Sequence, residues 1–255
     1  MSQLVTILGM HRSGTSAFCG VARELGLGFG WLREPGDLDG ERRAGPHKNA
    51  FNVRGNHENR ELRWLHDKIL KRSDGSWFEP PAEVEVKDKD RERRDEVIGS
   101  FEDDPVAIKD PRILLVMDLY SELDPLSIAV IRNPVSVADS LDRRSKEAPP
   151  EQQRGRQKGH PVGEPEAWEA LWRRYNYALL SEIQRKPTPV VDFDRGNLEG
   201  QARAALEFHG IETSGSTDFF DPNATKDPGG WEDRVRSPES MELWERLSQH
   251  VTAAR

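Results

Sequence analysis

Leu4-Val-Thr-Ile-Leu8 runs directly into Gly9-Met-His-Arg-Ser-Gly14-Thr15-Ser16, and no other stretch constrains the fold as strongly. Five apolar or β-branched residues stopped by glycine read as a buried parallel strand. A helix is predicted from about Thr15, with Ala17, Val21 and Leu25 on one stripe and Gly26 placed to end it. Between strand and helix, two glycines separated by four residues give the spacing of a phosphate-cradling loop, but Thr15 stands where that motif carries lysine. Ser13, Gly14, Thr15 and Ser16 place successive backbone N–H groups and hydroxyls at a helix N-terminus, which is a ready anion site. Arg12 adds a cation from within the loop. Taken alone, the glycines would also serve a tight turn with no ligand.

Further along, strands alternate with helices. Short strands are predicted at Val106–Ile108, Ser127–Ile131 and Pro189–Phe193. Helical spacing covers His57–Arg72, Asp88–Phe101 (very charged, read as a surface helix), Glu166–Gln184, Leu198–His209 and Pro238–Val251. Pro111 fits the first turn of a helix carrying Leu115 and Leu119, and Asn133-Pro134 caps and starts another. Residues 30–56 read as an irregular excursion, and residues 145–165, with four prolines and no periodicity, as a long flexible loop or lid. The pattern implies an α/β fold, a parallel sheet with helices on both faces, as one domain over 1–255.

Net charge narrows the partners. At −8 the chain is not a general binder of nucleic acid or of anionic membranes. A single cysteine, Cys19, rules out an internal disulfide, and no Cys/His cluster has zinc spacing. No apolar run is long enough to span a membrane and no signal-peptide core is visible, so the sequence reads as soluble and cytoplasmic.

A second segment gives the loop its context. Arg132-Asn133-Pro134-Val-Ser-Val-Ala-Asp-Ser140 places an arginine at a strand's end and a serine two helical turns on. Together with Arg12-Ser13-Gly14-Thr15-Ser16 it resembles the sulfotransferases that use 3′-phosphoadenylyl sulfate (PAPS) as donor. Asn52-Val53-Arg54-Gly55-Asn56-His57-Glu58, Lys109-Asp110-Pro111-Arg112 and Thr188–Asp194 resemble further motifs of that family's bacterial members, in order, across roughly residues 4–230. Val53, His57 and Asp192–Asp194 depart from the family's usual proline, aromatic and Tyr-Glu.

The resemblance implies a P-loop nucleoside-kinase-like sulfotransferase fold and transfer of a sulfuryl group to an acceptor hydroxyl on a glycan, lipid or small metabolite, leaving adenosine 3′,5′-bisphosphate (PAP) and needing no metal. It implies that Arg12, Ser13, Gly14, Thr15 and Ser16 hold the 5′-phosphosulfate and that Arg132 and Ser140 hold the 3′-phosphate. Lys226, in the late Asn223–Trp231 loop, is a further nucleotide contact. Arg12 and Lys109 would meet charge developing in transfer, and Glu58 would be the base, with His57 and Asp110 in reserve. Glu58 is placed at a predicted helix start, where the dipole favours its charged form. The missing lysine fits this donor, because a phosphosulfate lacks the γ-phosphate that a triphosphatase lysine reaches beside Mg²⁺.

Other readings remain at this level. A small-molecule kinase using ATP–Mg²⁺ or a catalytically inactive nucleotide-binding module would share the fold. His11, His47 and His66 read as incidental polar residues. Trp31, Trp64 and Trp77 read as core or pocket wall, one of them a candidate for stacking on adenine. Arg143, Arg144, Lys146, Arg154, Arg156 and Lys158 outnumber Glu147 and Glu151, and read as a solvated loop or as a basic lid. Neither the acceptor's identity nor the oligomeric state is written in these motifs.

Overall fold

A computed structural model describes residues 3–32, 47–49, 52–147, 164–219 and 229–252. Four parallel strands form the central sheet: β1 (Leu4–Leu8), β4 (Val106–Lys109), β5 (Leu126–Ile131) and β6 (Val190–Asp192), in the order β4-β1-β5-β6. β1 lies at the middle because it is buried along its whole length and pairs on both edges, Ile7 opposite Lys109 on one side and Ile128 on the other. Strand alternation splits the core in two. Leu4, Leu8, Ile108, Ala129 and Ile131 face one layer of helices, while Val5, Ile7, Ala107, Ile128 and Val130 face the other.

The second face is covered by α1 (Thr15–Glu24) and α6 (Leu198–Phe208). Both end in Schellman motifs, α1 on the predicted Gly26 and α6 on Gly210, directly after the expected helix end at His209. Leu27 N–H reaches Ala22 O at 2.9 Å past Gly26, and Ile211 N–H reaches Leu206 O at 3.0 Å past Gly210, with both glycines at positive φ. The first face carries α2 (Arg60–Arg72), α3 (Asp88–Gly99), α4 (Pro134–Glu147), α5 (Pro165–Arg185) and α7 (Pro238–Ser248). Asn133 caps α4 by accepting from Ser136 N–H at 2.8 Å.

Four expectations change. Residues 30–56 hold an antiparallel hairpin, β2 (His47–Asn49) with β3 (Asn52–Asn56), whose sequence lacks apolar alternation. The helix expected after Pro111 is a series of 3₁₀ turns, Pro111–Leu115, Met117–Leu119 and Ser121–Leu123. The buried apolar residues there include Ile113, Leu114, Val116, Leu119 and Tyr120, and among them Ile113, Val116 and Leu119 recur every three residues, as 3₁₀ turns place them. α3 is not wholly a surface helix: Asp90, Arg94 and Val97 are buried, Asp90 against Arg72 and Arg94 against the Leu119 carbonyl. The last helix stops at Ser248, after which Thr252 N–H bonds Val190 O and adds backbone to the edge of β6.

Candidate active site

The C-terminal end of β1 meets those of β4 and β5, and the chain reverses strand order here, which is where open α/β sheets bind ligands. Gly9 is required by close approach. A Cβ there would sit 2.5 Å from Val130 O and 2.7 Å from Thr15 Cγ2. Gly14 is required twice over, by φ of +88° and because a Cβ would lie 2.2 Å from the Phe193 ring. Arg12 itself adopts φ of +69°, and Ser13 N–H closes the turn onto Met10 O at 3.2 Å. α1 then starts at Thr15 with no side-chain cap and no acidic residue in its first turn. Its first amides therefore lack intrahelical acceptors. Beside them Ser13 Oγ is buried, its residue 1% exposed, with no hydrogen-bond partner. That arrangement suits an anion.

Cations gather on one side of the loop. Arg12 Nε donates to Ser140 Oγ at 2.9 Å, and Arg132 Nη1 donates to the Arg12 carbonyl at 3.3 Å. The two residues expected on the 3′-phosphate thus converge on the loop through Arg12. Asp194 fixes Arg132, one carboxylate oxygen accepting from its Nε at 3.2 Å and the other from Asn133 N–H and Nδ2, each at 2.8 Å. The guanidinium also lies over the Phe193 ring, 5.2 Å from its centre. Burial, then the like charges of Arg144, Arg132 and Arg143, bring the Arg12 pKa down to about 10. Arg12 stays protonated at neutral pH, and the guanidiniums whose repulsion shows in that shift gain from an anion among them.

On the other side stand Lys109 and Glu58. Lys109 ends β4 and reaches α1, donating from Nζ to Ser16 Oγ at 3.0 Å and to Glu58 Oε1 at 2.9 Å. Asn59 holds Glu58 in place: its side chain accepts from Leu62 N–H at 3.0 Å and donates to Trp31 O at 2.7 Å. Asn59 is therefore the cap and α2 begins at Arg60, so Glu58 lies just before the helix, not in its first turn. His57 is 1% exposed and packs against Phe29 and Phe219, with Nδ1 unpartnered. Burial, then the charges of Lys109 and Arg23, lower its pKa to about 3, so the imidazole is neutral.

Asp110 is committed elsewhere. Burial raises its pKa, but Arg112 and His66 outweigh burial and hold the carboxyl ionised. One oxygen accepts from Arg112 Nη1 at 2.9 Å and from Arg112 N–H at 3.0 Å; the other pairs with His66 Nδ1 at 2.8 Å. His66 Nε2 pairs in turn with Tyr120 Oη at 2.7 Å. This closed network anchors the chain one residue beyond Lys109. His66, which read as incidental in the sequence, is part of it.

Sequence reasoning missed a second aromatic group. His11, inside the loop, lies 4.4 Å from Trp77 and 5.9 Å from Tyr175, ring centre to ring centre. Missed too was the positioning role of Asp194, visible only as a departure from the family motif. Trp64 is 46% exposed under Arg60, and Trp31 bonds Ser100 Oγ through Nε1 at 2.8 Å. Lys226 and most of the 145–165 stretch lie outside the described residues; Arg143 and Arg144 are in the last turn and a half of α4. Among the described residues no three His, Cys, Asp or Glu side chains gather as metal ligands, and no helix is long and apolar enough to cross a membrane.

No protein-family model matches the chain, and no curated protein matches it in sequence. Its fold is similar to that of a solved sulfotransferase domain from the curacin biosynthetic pathway, with a TM-score of 0.53, 12% identity and 99% of each chain covered. The chain has a sulfotransferase-like fold.

Proposed function

We propose that this chain is a sulfotransferase that moves a sulfuryl group from PAPS to an acceptor hydroxyl, in a reaction that needs no metal. The observation that carries this reading is the junction at Ser16, where the uncapped anion loop meets the Lys109–Glu58 pair. The donor supplies an electrophilic sulfuryl group and a bisphosphate leaving group. Ser13, Gly14, Thr15 and Ser16 bind its 5′ end through backbone N–H groups and hydroxyls, the unpartnered Ser13 Oγ among them. Arg132 and Ser140 take the 3′-phosphate, with Arg12 between them. Lys226 is proposed as a further nucleotide contact.

Lys109 has three N–H groups, two of which serve Ser16 and Glu58, leaving one to meet negative charge on the transferring oxygens. Glu58 uses Oε1 for Lys109 and holds Oε2 for the acceptor's proton. Its side chain is 13% exposed, whereas His57 is sealed between rings and Asp110 is bonded through both oxygens. Glu58 is therefore the better placed base.

A kinase would use the same sheet, but Thr15 occupies the position of its phosphate-binding lysine. Thermal-shift measurements separate the two readings. Saturating PAP is expected to raise the melting temperature by several degrees, with no change on adding EDTA, while ATP–Mg²⁺ leaves it nearly unmoved. Stabilisation by ATP–Mg²⁺ and not by PAP would establish the kinase reading instead.

A further inference from the structure

His66 is an imidazole where α2 otherwise buries hydrocarbon. Leu62, Leu65, Ile69 and Leu70 make the buried face of that helix, and His66 is 0% exposed among them. A buried imidazole costs stability unless its nitrogens are bonded, and both are: Nδ1 to Asp110 Oδ2 at 2.8 Å and Nε2 to Tyr120 Oη at 2.7 Å. Against its burial, Arg112 and His66 keep the Asp110 carboxyl ionised. That carboxylate only accepts, so Nδ1 carries the proton between them. A leucine would fill the same space with no partners to find.

The bond to Asp110 joins the two segments that carry the proposed catalytic pair. Glu58 lies just ahead of α2 and His66 two turns into it, while Lys109 ends β4 and Asp110 follows directly. Asn59 and His66, seven residues apart, lie close to two full turns from each other and so on one face of α2. The first holds Trp31 O at 2.7 Å and the second holds Asp110. Beside this runs another tie: Asp67 accepts from Arg112 Nε at 2.6 Å, and Arg112 Nη1 donates to Asp110 at 2.9 Å. Asp67 is 47% exposed, so water weakens that tie, whereas His66 and Asp110 are closed off at 0% and 3%. Apolar packing lets a helix slide slightly over a sheet; a buried hydrogen bond holds its length and angle.

We propose that His66 is a positioning residue for the Lys109–Glu58 pair: its bond to Asp110 sets the height of α2 against β4 and keeps Glu58 in reach of Lys109. This rests on the sulfotransferase reading, in which Glu58 is the base and Lys109 the cation, and adds the residue that holds them together. Glu58 Oε1 meets Lys109 Nζ at 2.9 Å. Misplacing a reacting group by about 1 Å costs on the order of a hundredfold in rate, so fixing that distance matters to the chemistry. Tyr120 bonds the other nitrogen, and its hydroxyl contributes to stability without joining α2 to β4.

The test is a double-mutant cycle of Glu58→Gln and Lys109→Met, read by urea unfolding of the full chain. It is run on the wild type and again with His66→Leu, His66→Asn or Tyr120→Phe added. In the wild type the pair should couple by about fivefold in the unfolding equilibrium constant. His66→Leu should bring the coupling below about 1.5-fold. His66→Asn returns an N–H at the place of Nδ1 and should restore it to about threefold or more, although Tyr120 loses its partner. Tyr120→Phe should destabilise the chain by about tenfold in the same constant yet leave the coupling within about 1.5-fold of wild type. If His66→Leu does not fold, His66→Gln, whose amide reaches Tyr120 but not Asp110, replaces it with the same expectation. No coupling in the wild type, coupling kept without the Asp110 bond, no recovery in His66→Asn, or equal loss in Tyr120→Phe would overturn the assignment. PAP calorimetry on the same chain is read separately. Absence of PAP binding would overturn the donor reading, and the cycle, which needs no nucleotide, would still read the positioning.

Discussion

Two groups of side chains beside the Gly9–Gly14 loop were assembled in different ways. The anion side draws Arg12 to Ser16 from one strand-loop-helix unit and Arg132 to Ser140 from another, each within a few residues of a strand end. The aromatic side draws His11, Trp77 and Tyr175 from three distant parts of the chain, joined only because α5 packs beside the loop on the first face of the sheet. Local units fix side chains by short offsets, so the anion side tolerates little change in sequence. The aromatic side is fixed by packing, which many sequences can satisfy. The loop and its arginines can therefore hold their motif while the rings around His11 change.

Substitutions at the junction of the two sides should have the largest effects. Glu58→Gln, nearly isosteric, removes the proposed proton acceptor and is expected to abolish transfer while PAP affinity stays within about threefold. Lys109→Met should lower kcat by roughly 10²–10³-fold, as loss of an oxyanion donor does. Single-turnover transfer assays beside PAP calorimetry read both effects. Near-normal turnover in Glu58→Gln, with loss in His57→Ala or Asp110→Asn, would move the base. On the anion side alone, Ser140→Ala removes the hydroxyl that accepts from Arg12 Nε and should weaken PAP by about five- to tenfold, with kcat at saturating donor unchanged. A fall in kcat instead would place Ser140 at the chemistry and blur the division between the sides.

The smallest expected effect is on stability. Folded His57 titrates at about 3 against 6.5 for an ordinary histidine. Between those values the unfolded chain takes up a proton that the folded chain does not. His57 thus adds no penalty above about pH 6.5, and stability falls as pH drops from there toward 3. His57→Phe keeps a ring between Phe29 and Phe219 and should flatten that decline by up to about 1 kcal/mol per pH unit. Urea melts at pH 7, 6 and 5 would show it. An unchanged slope would mean that His57 is not closed off from water in the folded chain.

The legible parts of the chain were those with local causes. Buried strands, glycine helix ends at Gly26 and Gly210, and the Asn133 cap all declared themselves in short stretches. The 3₁₀ turns after Pro111 were not legible, because Leu115 and Leu119 suggest an α spacing, whereas packing buries Ile113, Leu114, Val116, Leu119 and Tyr120 and leaves Leu115 partly exposed. The hairpin at 47–56 carries no alternation to read. In the site, the convergence of Lys109, Ser16 and Glu58 joins residues whose types were noticed singly. Asp194, His66 and the His11–Trp77 contact have no local signature at all: a carboxylate, an imidazole and two rings become meaningful only when the fold supplies their partners.

The proposed donor site stands on Arg12, Arg132 and Ser140 holding a nucleotide that bears a 3′-phosphate. Calorimetric affinities of PAP and of adenosine 5′-monophosphate, measured for wild type and for Arg132→Ala, test it most directly. If Arg132 binds the 3′-phosphate with its planar fork, the substitution should weaken PAP by about 30-fold or more and the monophosphate by no more than about threefold. Equal losses for both nucleotides would contradict the assignment, and with it the donor on which the proposed reaction depends.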